Sequence, residues 1–223
     1  MNFVIEYSNR PEEREGTHLI LMLHGYGSNE RDLLQIGEML GGSVTYAGLR
    51  APQPVGTPLS EVGDTAIIPD AAFGYQWYPL TNALESNQRA VELATDYVID
   101  FLEQETTRYE AVTLMGFSQG MAMATSVARR RPDLVHAVIG CSGFVIPDGE
   151  DYFKDAEFKA KNMPVFYGRG DADTVISPER VDFATTWLKE NAQVELHVYQ
   201  GLPHSINPEE VRDIARFMQK HIL

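Results

Sequence analysis

The 223-residue chain has one cysteine, Cys141, which excludes an internal disulfide bond and a metal site built from cysteines. Basic residues are also scarce, since 18 lysines and arginines stand against 32 aspartates and glutamates, a formal net charge of −14. So acidic a surface disfavours binding to nucleic acid and to anionic membranes. The sequence has no apolar run long enough to cross a bilayer, and residues 1–7 lack the features of a signal peptide. We therefore expect a cytoplasmic protein without stable membrane insertion.

The sequence also lacks internal repeats, low-complexity segments and charged tails. Its length suits one sizeable core, so we expect residues 1–223 to form a single domain. Short apolar runs alternate with longer stretches of helical period, which predicts an α/β fold with a mostly parallel central sheet and helices on both faces. The predicted strands are 3–7, 19–23, 44–49, 111–115, 135–141, 165–168 and 194–199.

Helix starts are marked by capping residues and N-terminal prolines. The predicted starts are Ser28-Asn29 for a helix over 30–40, Ser86 for one over 86–104, Ser177-Pro178 for one reaching Leu188, and Asn207-Pro208 for the last helix. The basic run 129–131 is interpreted as a solvated helix C-terminus, where cations suit the helix dipole.

Residues 51–80 contain five prolines and several glycines without any sustained period. A long irregular segment inside a compact domain is usually a functional loop or a disordered one. Four aromatic residues argue against disorder, namely Phe73, Tyr75, Trp77 and Tyr78. We therefore predict an ordered loop that packs across one end of the sheet.

A serine stands between two glycines where a predicted strand meets a predicted helix. Gly116-Phe117-Ser118-Gln119-Gly120 matches the G-x-S-x-G nucleophile elbow, which requires this strand–turn–helix context. On so sharp a turn, side chains two residues before and after the serine would clash, and the glycines remove both. The strained backbone costs on the order of 1–3 kcal/mol. We predict that Ser118 is a nucleophile; the alternative is an incidental serine in a glycine-rich connection.

A serine hydroxyl needs an adjacent base to act as a nucleophile. His204 lies in the loop between the last predicted strand and the last helix, on the sheet edge where Ser118 is expected. We predict that His204 is the general base, with an exposed loop histidine as the alternative. The other five histidines are assigned to the surface (His18, His221), to packing (His136, His197) and to a glycine-rich turn (His24).

The imidazole needs a carboxylate on its other nitrogen. Asp171 and Asp173 both follow the strand 165–168, and the chain order Ser…Asp…His is that of α/β-hydrolases. Spacing alone leaves the pair open. We prefer Asp173, which is nearer the next helix, and interpret Asp171 as a turn residue that accepts hydrogen bonds from local amides.

A serine nucleophile of this kind also needs an oxyanion hole, in which two backbone N–H groups donate to the developing negative charge. One is the amide after the nucleophile, that of Gln119. The other should come from the glycine-rich loop His24-Gly25-Tyr26-Gly27-Ser28, which follows an early strand, and we assign it to Tyr26. The alternative for this loop is a tight turn without a ligand.

These segments resemble the phospholipase/carboxylesterase family of α/β-hydrolases, which includes the acyl-protein thioesterases. The matching stretches are 23–27, 116–120, 170–173 and 201–204, in an order that agrees from about residue 18 to the C-terminus. The resemblance implies the α/β-hydrolase fold, serine hydrolysis of carboxylic esters or thioesters without metal or cofactor, and no large lid. In this family the second aspartate of the Gly-Asp-x-Asp turn is catalytic, which favours Asp173.

Two features depart from the acyl-protein thioesterases: Thr174 replaces the usual proline, and the 51–80 loop differs from the acyl-channel segment. We therefore expect a serine carboxylesterase acting on small to medium-chain esters, with a homodimer as one possible assembly. The alternatives are a thioesterase or lysophospholipase acting on long acyl chains, and a non-catalytic binding module. Residues 74–78 resemble an aromatic segment of bacterial members, and Trp77 and Tyr78 are expected to line the substrate pocket, with core packing as the competing role.

Overall fold

The computed structural model describes residues 3–58, 60, 73–80, 87–147, 149 and 151–223. Its strands there are β1 Ile5–Tyr7, β2 His18–Leu23, β3 Val44–Leu49, β4 Gln53–Pro54, β5 Tyr75–Gln76, β6 Ala111–Phe117, β7 Ala137–Cys141, β8 Pro164–Gly170 and β9 Gln193–Tyr199. All seven predicted strands are confirmed, with shifts of one or two residues at some ends. The short strands β4 and β5 form a separate antiparallel ribbon.

Seven of these strands form the central sheet in the order β1-β3-β2-β6-β7-β8-β9. Only β1 runs antiparallel to its neighbour, and the remaining pairs are parallel. From β2 the chain first moves outward to β3 and later returns to β6 on the other side of β2. The carboxyl ends of β2 and β6 therefore meet at a topological switch point, where ligands of open α/β sheets bind. Leu23 pairs with Gly116 there, so the loops after these two strands emerge side by side.

Helices cover both faces of the sheet, as the sequence predicts. They are α1 Leu34–Leu40, α2 Gln88–Glu105, α3 Gln119–Arg130, α4 Asp155–Lys161, α5 Pro178–Asn191 and α6 Pro208–His221. Side chains alternate across the sheet, so Leu19, Leu21 and Leu23 of β2 face the cluster formed with α2 to α5. Ile20 and Met22 face the cluster formed with α1 and α6. No helix in the described ranges is both long and apolar enough to span a bilayer.

Two predicted helix starts are confirmed by capping hydrogen bonds. Ser177 Oγ accepts from the backbone N–H at the third position of α5, and Asn207 Oδ1 does the same for α6. Ser86 lies outside the described residues. At the start of α2, Asn87 Oδ1 accepts from the N–H of Ala90 at 3.2 Å, so Asn87 is the capping residue that the structure gives for this helix.

The first helix starts later than predicted, at Leu34 instead of residue 30. Asn29 Oδ1 accepts from the N–H of Arg31 at 2.9 Å, which closes a local turn and competes with helix formation. The side chain of Glu30 is buried and makes a two-point ion pair with Arg50, with both N···O distances 2.7 Å. This tertiary contact holds residue 30 in the turn.

The predicted ordered loop over 51–80 is borne out for its described residues, 51–58, 60 and 73–80. Strands β4 and β5 pair with each other, and Trp77 and Tyr78 are fully buried. Residues 59 and 61–72 lie outside the described part of the chain. Tyr75 also exchanges backbone hydrogen bonds with the loop after β2, since its C=O accepts from Gly27 and its N–H donates to Ser28. The segment therefore supports the loop at the switch point.

Arg129 corrects the interpretation of the basic run as a solvated helix end. Its side chain is 2% exposed and makes a two-point ion pair with Asp155, with N···O distances of 2.7 and 2.8 Å. The guanidinium also donates to the C=O of Ile146 and lies over the rings of Phe153 and Trp187. A cation so enclosed joins α3 to α4.

The histidines outside the predicted site also differ from expectation. His18 is buried instead of exposed, because its Nε2 hydrogen-bonds Thr113 Oγ1 at 2.8 Å on the neighbouring strand. His136 is exposed, although its ring packs edge-on against that of His18 with centroids 5.4 Å apart. His221 is largely covered and hydrogen-bonds Glu195, while His197 stacks on Phe166 as its packing assignment predicts.

Candidate active site

Ser118 occupies the turn between β6 and α3 with φ 55° and ψ −118°, in the left-handed region that non-glycine residues rarely adopt. A Cβ at Gly116 would lie 2.2 Å from the Gly120 carbonyl oxygen, and one at Gly120 would lie 1.8 Å from that of Leu23. Side chains at either position are thus excluded by backbone atoms, as the elbow geometry requires. The N–H of Ser118 donates to the C=O of Cys141 at 2.9 Å, which fixes the turn to β7.

His204 and Asp173 come from different loops and meet. His204 Nδ1 lies 2.7 Å from Asp173 Oδ2, and the Asp173 side chain is 1% exposed. The other carboxylate oxygen, Oδ1, accepts from the N–H groups of Val175 and Ile176. Burial alone would raise the pKa of Asp173, but the hydrogen bonds from His204 and these two amides outweigh it and lower the pKa. The ionised carboxylate only accepts, so His204 Nδ1 carries a proton, and in the neutral imidazole Nε2 is the acceptor nitrogen.

Asp171 takes a different position. Its Oδ1 accepts from the N–H of Gly201 at 2.6 Å, and its own N–H donates to the C=O of Tyr199. It is exposed and joins the loop after β8 to the loop after β9. This agrees with the expected amide-binding role, although the amide belongs to a distant segment and not to the local turn.

Ser118 and His204 line one cavity of about 350 Å³ at the switch point, together with Tyr26 and Gln119. Ser118 Oγ has no hydrogen-bond partner within the described part of the chain, and the ring of His204 packs on Phe117 with centroids 4.9 Å apart. Hydrogen bonds between a nucleophile and its base are often long in unliganded enzymes and shorten when substrate binds. The structure therefore places the predicted nucleophile, the predicted base and both predicted oxyanion residues at one cavity, with Asp173 behind His204.

The two predicted oxyanion donors lie at the same cavity. Among the described residues, no acceptor binds the backbone N–H of Tyr26 or of Gln119. Gln119 is the first residue of α3, so its amide also lies at the positive end of a helix. Both amides are thus available to a ligand with a negatively charged oxygen.

His24 supports the loop that carries Tyr26. It is 1% exposed, and its Nε2 accepts from the N–H of Ala51 at 3.1 Å. Its Nδ1 is therefore the donor, to the C=O of Gly25 at 2.7 Å. Burial lowers the pKa of His24 to about 4, so the ring stays neutral and this pair of hydrogen bonds persists at neutral pH.

Trp77 and Tyr78, expected in the substrate pocket, are fully buried and do not line the described cavity. Their backbones hold the Gln119 side chain, since Trp77 N–H donates to its Oε1 and Tyr78 C=O accepts from its Nε2. The Trp77 indole donates to the C=O of His24 at 2.8 Å. The structure thus favours the competing role, packing beneath the site, for both residues.

Sequence reasoning missed the residues that form the cavity walls. Phe144, Val175, Ile176, Leu80 and Arg180 line it. None belongs to a motif, and they come from four separate segments, so the sequence carries no local signal for them. Ser142 was also missed; its hydroxyl donates to the C=O of Ser205 at 3.3 Å and joins the end of β7 to the His204 loop.

No group of three or more histidine, cysteine or carboxylate side chains within the described ranges is arranged to hold a metal ion. The site that the structure does describe consists of a hydroxyl, an imidazole, a carboxylate and backbone amides. These groups suit nucleophilic acyl transfer.

The sequence model of the phospholipase/carboxylesterase family matches residues 4–222. The chain belongs to this family. Acyl-protein thioesterase 1 of Mycosarcoma maydis is 28% identical over 221 residues, covering 92% of each chain, and its namesake from Kluyveromyces lactis is 25% identical, covering 91% of each. The membership confirms the predicted family, the α/β-hydrolase fold and the enzyme class, a serine hydrolase.

Solved structures share the fold. The Bacillus cereus carboxylesterase superposes with a TM-score of 0.76 at 16% identity, covering 99% of this chain and 95% of that one. Esterase PE8 superposes with a TM-score of 0.74 at 22% identity and covers both chains completely. At these identities the likeness concerns the fold, and the chemistry rests on the site itself.

Proposed function

We propose that this family member is a carboxylesterase that hydrolyses small to medium-chain esters with Ser118 as nucleophile, His204 as general base and Asp173 as the supporting carboxylate. One observation carries the proposal: the hydrogen-bonded His204–Asp173 pair lies at the cavity that also contains the strained Ser118. A buried acceptor-only carboxylate fixes the imidazole tautomer and stabilises the imidazolium that forms.

In the first half-reaction, Ser118 Oγ bonds to the ester carbonyl carbon while its proton passes to His204 Nε2. The carbonyl oxygen becomes an oxyanion and accepts hydrogen bonds from the N–H groups of Tyr26 and Gln119. When the intermediate collapses, the C–O bond to the alcohol breaks and His204 returns the proton to the leaving oxygen. Removing one such backbone donor typically costs about 3–4 kcal/mol of transition-state stabilisation.

In the second half-reaction, a water molecule attacks the acyl group on Ser118 and gives its proton to His204. The second tetrahedral intermediate uses the same two amides, and its collapse releases the acid as His204 returns the proton to Ser118 Oγ. The reaction thus requires only groups of this chain and water.

The size of the cavity supports the limit on chain length. Its volume of about 350 Å³ lies near the lower end of the ~300–1,000 Å³ typical of small-molecule pockets. The walls formed by Phe144, Val175, Ile176 and Leu80 are mostly apolar, which suits an alkyl chain. A short or medium acyl group fits within this volume, whereas a palmitoyl chain extends beyond it.

A thioesterase acting on long acyl chains is the second candidate function. It is favoured by the relatives from Mycosarcoma maydis and Kluyveromyces lactis, which are named acyl-protein thioesterase 1 and match over nine-tenths of the chain. A non-catalytic binding module is disfavoured, because every predicted catalytic and oxyanion position holds a suitable group at one cavity.

A series of matched esters and thioesters with acyl chains from two to sixteen carbons separates these candidates. The proposal predicts that kcat/KM peaks at short to medium esters and falls for palmitoyl substrates, and that Ser118→Ala abolishes turnover of every substrate. A maximum at palmitoyl thioesters would support the second candidate. Turnover that persists in Ser118→Ala would contradict both. The cytoplasmic location remains a prediction that cell fractionation tests. The homodimer remains a prediction that a measurement of molecular mass in solution tests.

A further inference from the structure

A second cavity adjoins the Ser118 cavity beyond Tyr26 and Leu80. It has a volume of about 310 Å³, and these two residues line both cavities. His204 lines the first cavity and does not line the second. Tyr26 and Leu80 therefore form the boundary between a cavity that contains the proposed nucleophile and base and a cavity that contains neither.

The walls of the two cavities differ in polarity. The first is mostly apolar, as described above. Of the eight described residues that line the second, Thr57, Gln76 and Asn87 have neutral hydrogen-bonding side chains, and Tyr26 adds a hydroxyl group. None of the eight is an acidic, basic or histidine residue. The second cavity thus suits a neutral group that donates and accepts hydrogen bonds, and it offers no charge to an ion.

Two amide side chains in this wall have hydrogen-bonding groups that are not in use. Gln76 is 2% exposed, and its Nε2 donates to the C=O of Thr57 at 3.3 Å, while no donor among the described residues binds its Oε1. Asn87 Oδ1 accepts from the N–H of Ala90, but its Nδ2 has no acceptor in the described part of the chain. A covered amide group is stable only when water or a ligand supplies the partner.

The proposed reaction determines which half of an ester faces this second cavity. The leaving oxygen takes a proton from His204, so the alcohol half lies beside His204. The two halves of the ester leave the carbonyl carbon in different directions, so the acyl half points away from His204. An acyl chain that outgrows the Ser118 cavity on that side meets Tyr26 and Leu80, and behind them the polar wall.

We infer that the second cavity is a subsite for the far end of the acyl chain and that it selects chains ending in a neutral hydroxyl or carboxamide group. The inference rests on the proposed function and specifies its substrate class. A hydroxyl group donates to an amide oxygen such as Gln76 Oε1 and accepts from an amide N–H such as that of Asn87. A plain alkyl chain of the same length removes water from both amides and returns no hydrogen bond, which disfavours it.

The test compares two matched pairs of p-nitrophenyl esters, octanoate with 8-hydroxyoctanoate and decanoate with 10-hydroxydecanoate. For each pair, the measured quantity is the ratio of kcat/KM for the hydroxyacyl ester to kcat/KM for the plain ester. Gln76→Met keeps an unbranched side chain and removes the amide. It is expected to lower the larger of the two ratios about tenfold, since the hydroxyl group then loses its partner. Asn87→Ser keeps a capping oxygen for α2, removes the amide N–H groups and should lower the same ratio.

Gln35→Met is the matched control, because Gln35 is exposed on α1 and lines neither cavity. It should leave both ratios unchanged. The acyl group of p-nitrophenyl acetate is too short to leave the Ser118 cavity, so wild type and all three variants should hydrolyse this ester alike. Thermal unfolding shows which variants are folded; if Gln76→Met is not, Asn87→Ser decides, since Asn87 is exposed.

A loss in either cavity variant that Gln35→Met does not share supports the inference. Unchanged ratios in the folded cavity variants would overturn it, as would an equal loss in Gln35→Met. Propyl butyrate and glyceryl monobutyrate place the hydroxyl groups in the alcohol half instead. An effect of the cavity variants on this pair alone would assign the subsite to the alcohol and overturn the inference. Failure of the proposed function shows separately, as absence of p-nitrophenyl acetate hydrolysis by the wild-type chain.

Discussion

Glu210 is a buried carboxyl group, and among the described residues no cation compensates its charge. It is the third residue of α6 and 0% exposed, and no hydrogen bond from the described residues satisfies either of its side-chain oxygens. The group packs against the backbone of β8, where a Cβ at Gly168 would lie 2.3 Å from its Oε1. Burial raises the pKa of Glu210 to about 7, and the neighbouring Cys141 thiol acts in the opposite direction.

The raised pKa makes folding stability depend on pH. In the unfolded chain the carboxyl group titrates at its ordinary value of 4.5. Between that value and pH 7 the folded protein holds a proton that the unfolded chain has lost, so the free energy of unfolding falls as pH rises. The contribution is fully present below the unfolded pKa and lost above the folded one. At 1.36 kcal/mol per pH unit, the loss amounts to about 3 kcal/mol.

Glu210→Gln tests this value, because the amide keeps the shape of the side chain and cannot ionise. Urea unfolding is measured at about pH 5 and about pH 8 for wild type, Glu210→Gln and Glu209→Gln. From the lower to the higher pH, the free energy of unfolding of Glu210→Gln should rise by about 3 kcal/mol relative to that of wild type. Glu209 is exposed on the same turn of α6, so the free energy of unfolding of Glu209→Gln should stay close to that of wild type at both pH values.

The contrary result is a stability difference between Glu210→Gln and wild type that stays constant from acid to alkaline pH. It would mean that the carboxyl group titrates alike in the folded and unfolded chains. Chemical shifts of ¹³C-labelled glutamate side chains in the folded wild-type protein give the pKa directly, and a value in the ordinary range would refute the reasoning independently.

Four other substitutions have outcomes that follow from described contacts. Asp173→Asn should lower kcat by roughly 10⁴-fold and Asp171→Asn far less, measured by steady-state kinetics with one ester. Gly120→Ala should not fold, because its methyl carbon would lie 1.8 Å from a carbonyl oxygen of β2; circular dichroism shows this. Asp155→Ala should cost roughly 3 kcal/mol in urea unfolding, since it strands the buried charge of Arg129. Full activity in Asp173→Asn, a native Gly120→Ala spectrum or an unchanged Asp155→Ala midpoint would contradict the respective argument.

The sheet and the elbow could be predicted from the sequence because their causes are local. Most strands of the sheet are buried parallel strands, which are recognisable as short apolar runs, and all seven strands of the sheet were found. The glycines around Ser118 are required by backbone atoms within the same turn and the adjacent strand, so the motif together with its strand–turn–helix context predicted the position. Spacing left Asp171 and Asp173 open; Asp173 was preferred for its place nearer the next helix, and the family resemblance supported that choice.

The remaining features depend on contacts between distant segments. Arg129 looks like a solvated helix end until Asp155 and the rings of Phe153 and Trp187 enclose it. Glu210 stands in a capping sequence that suggests exposure, and only the arrangement of β7, β8 and α6 buries it. No local pattern encodes such neighbours, which is also why the cavity wall at Arg180 escaped prediction.

The most direct test of the central claim is the site and rate of covalent labelling by a fluorophosphonate, followed by intact-mass measurement and peptide mapping. The account predicts one adduct on folded wild-type protein, located at Ser118, with labelling slowed by orders of magnitude in His204→Ala. Equally fast labelling of His204→Ala, or an adduct on a different residue, would contradict the proposal that Ser118 is activated by His204.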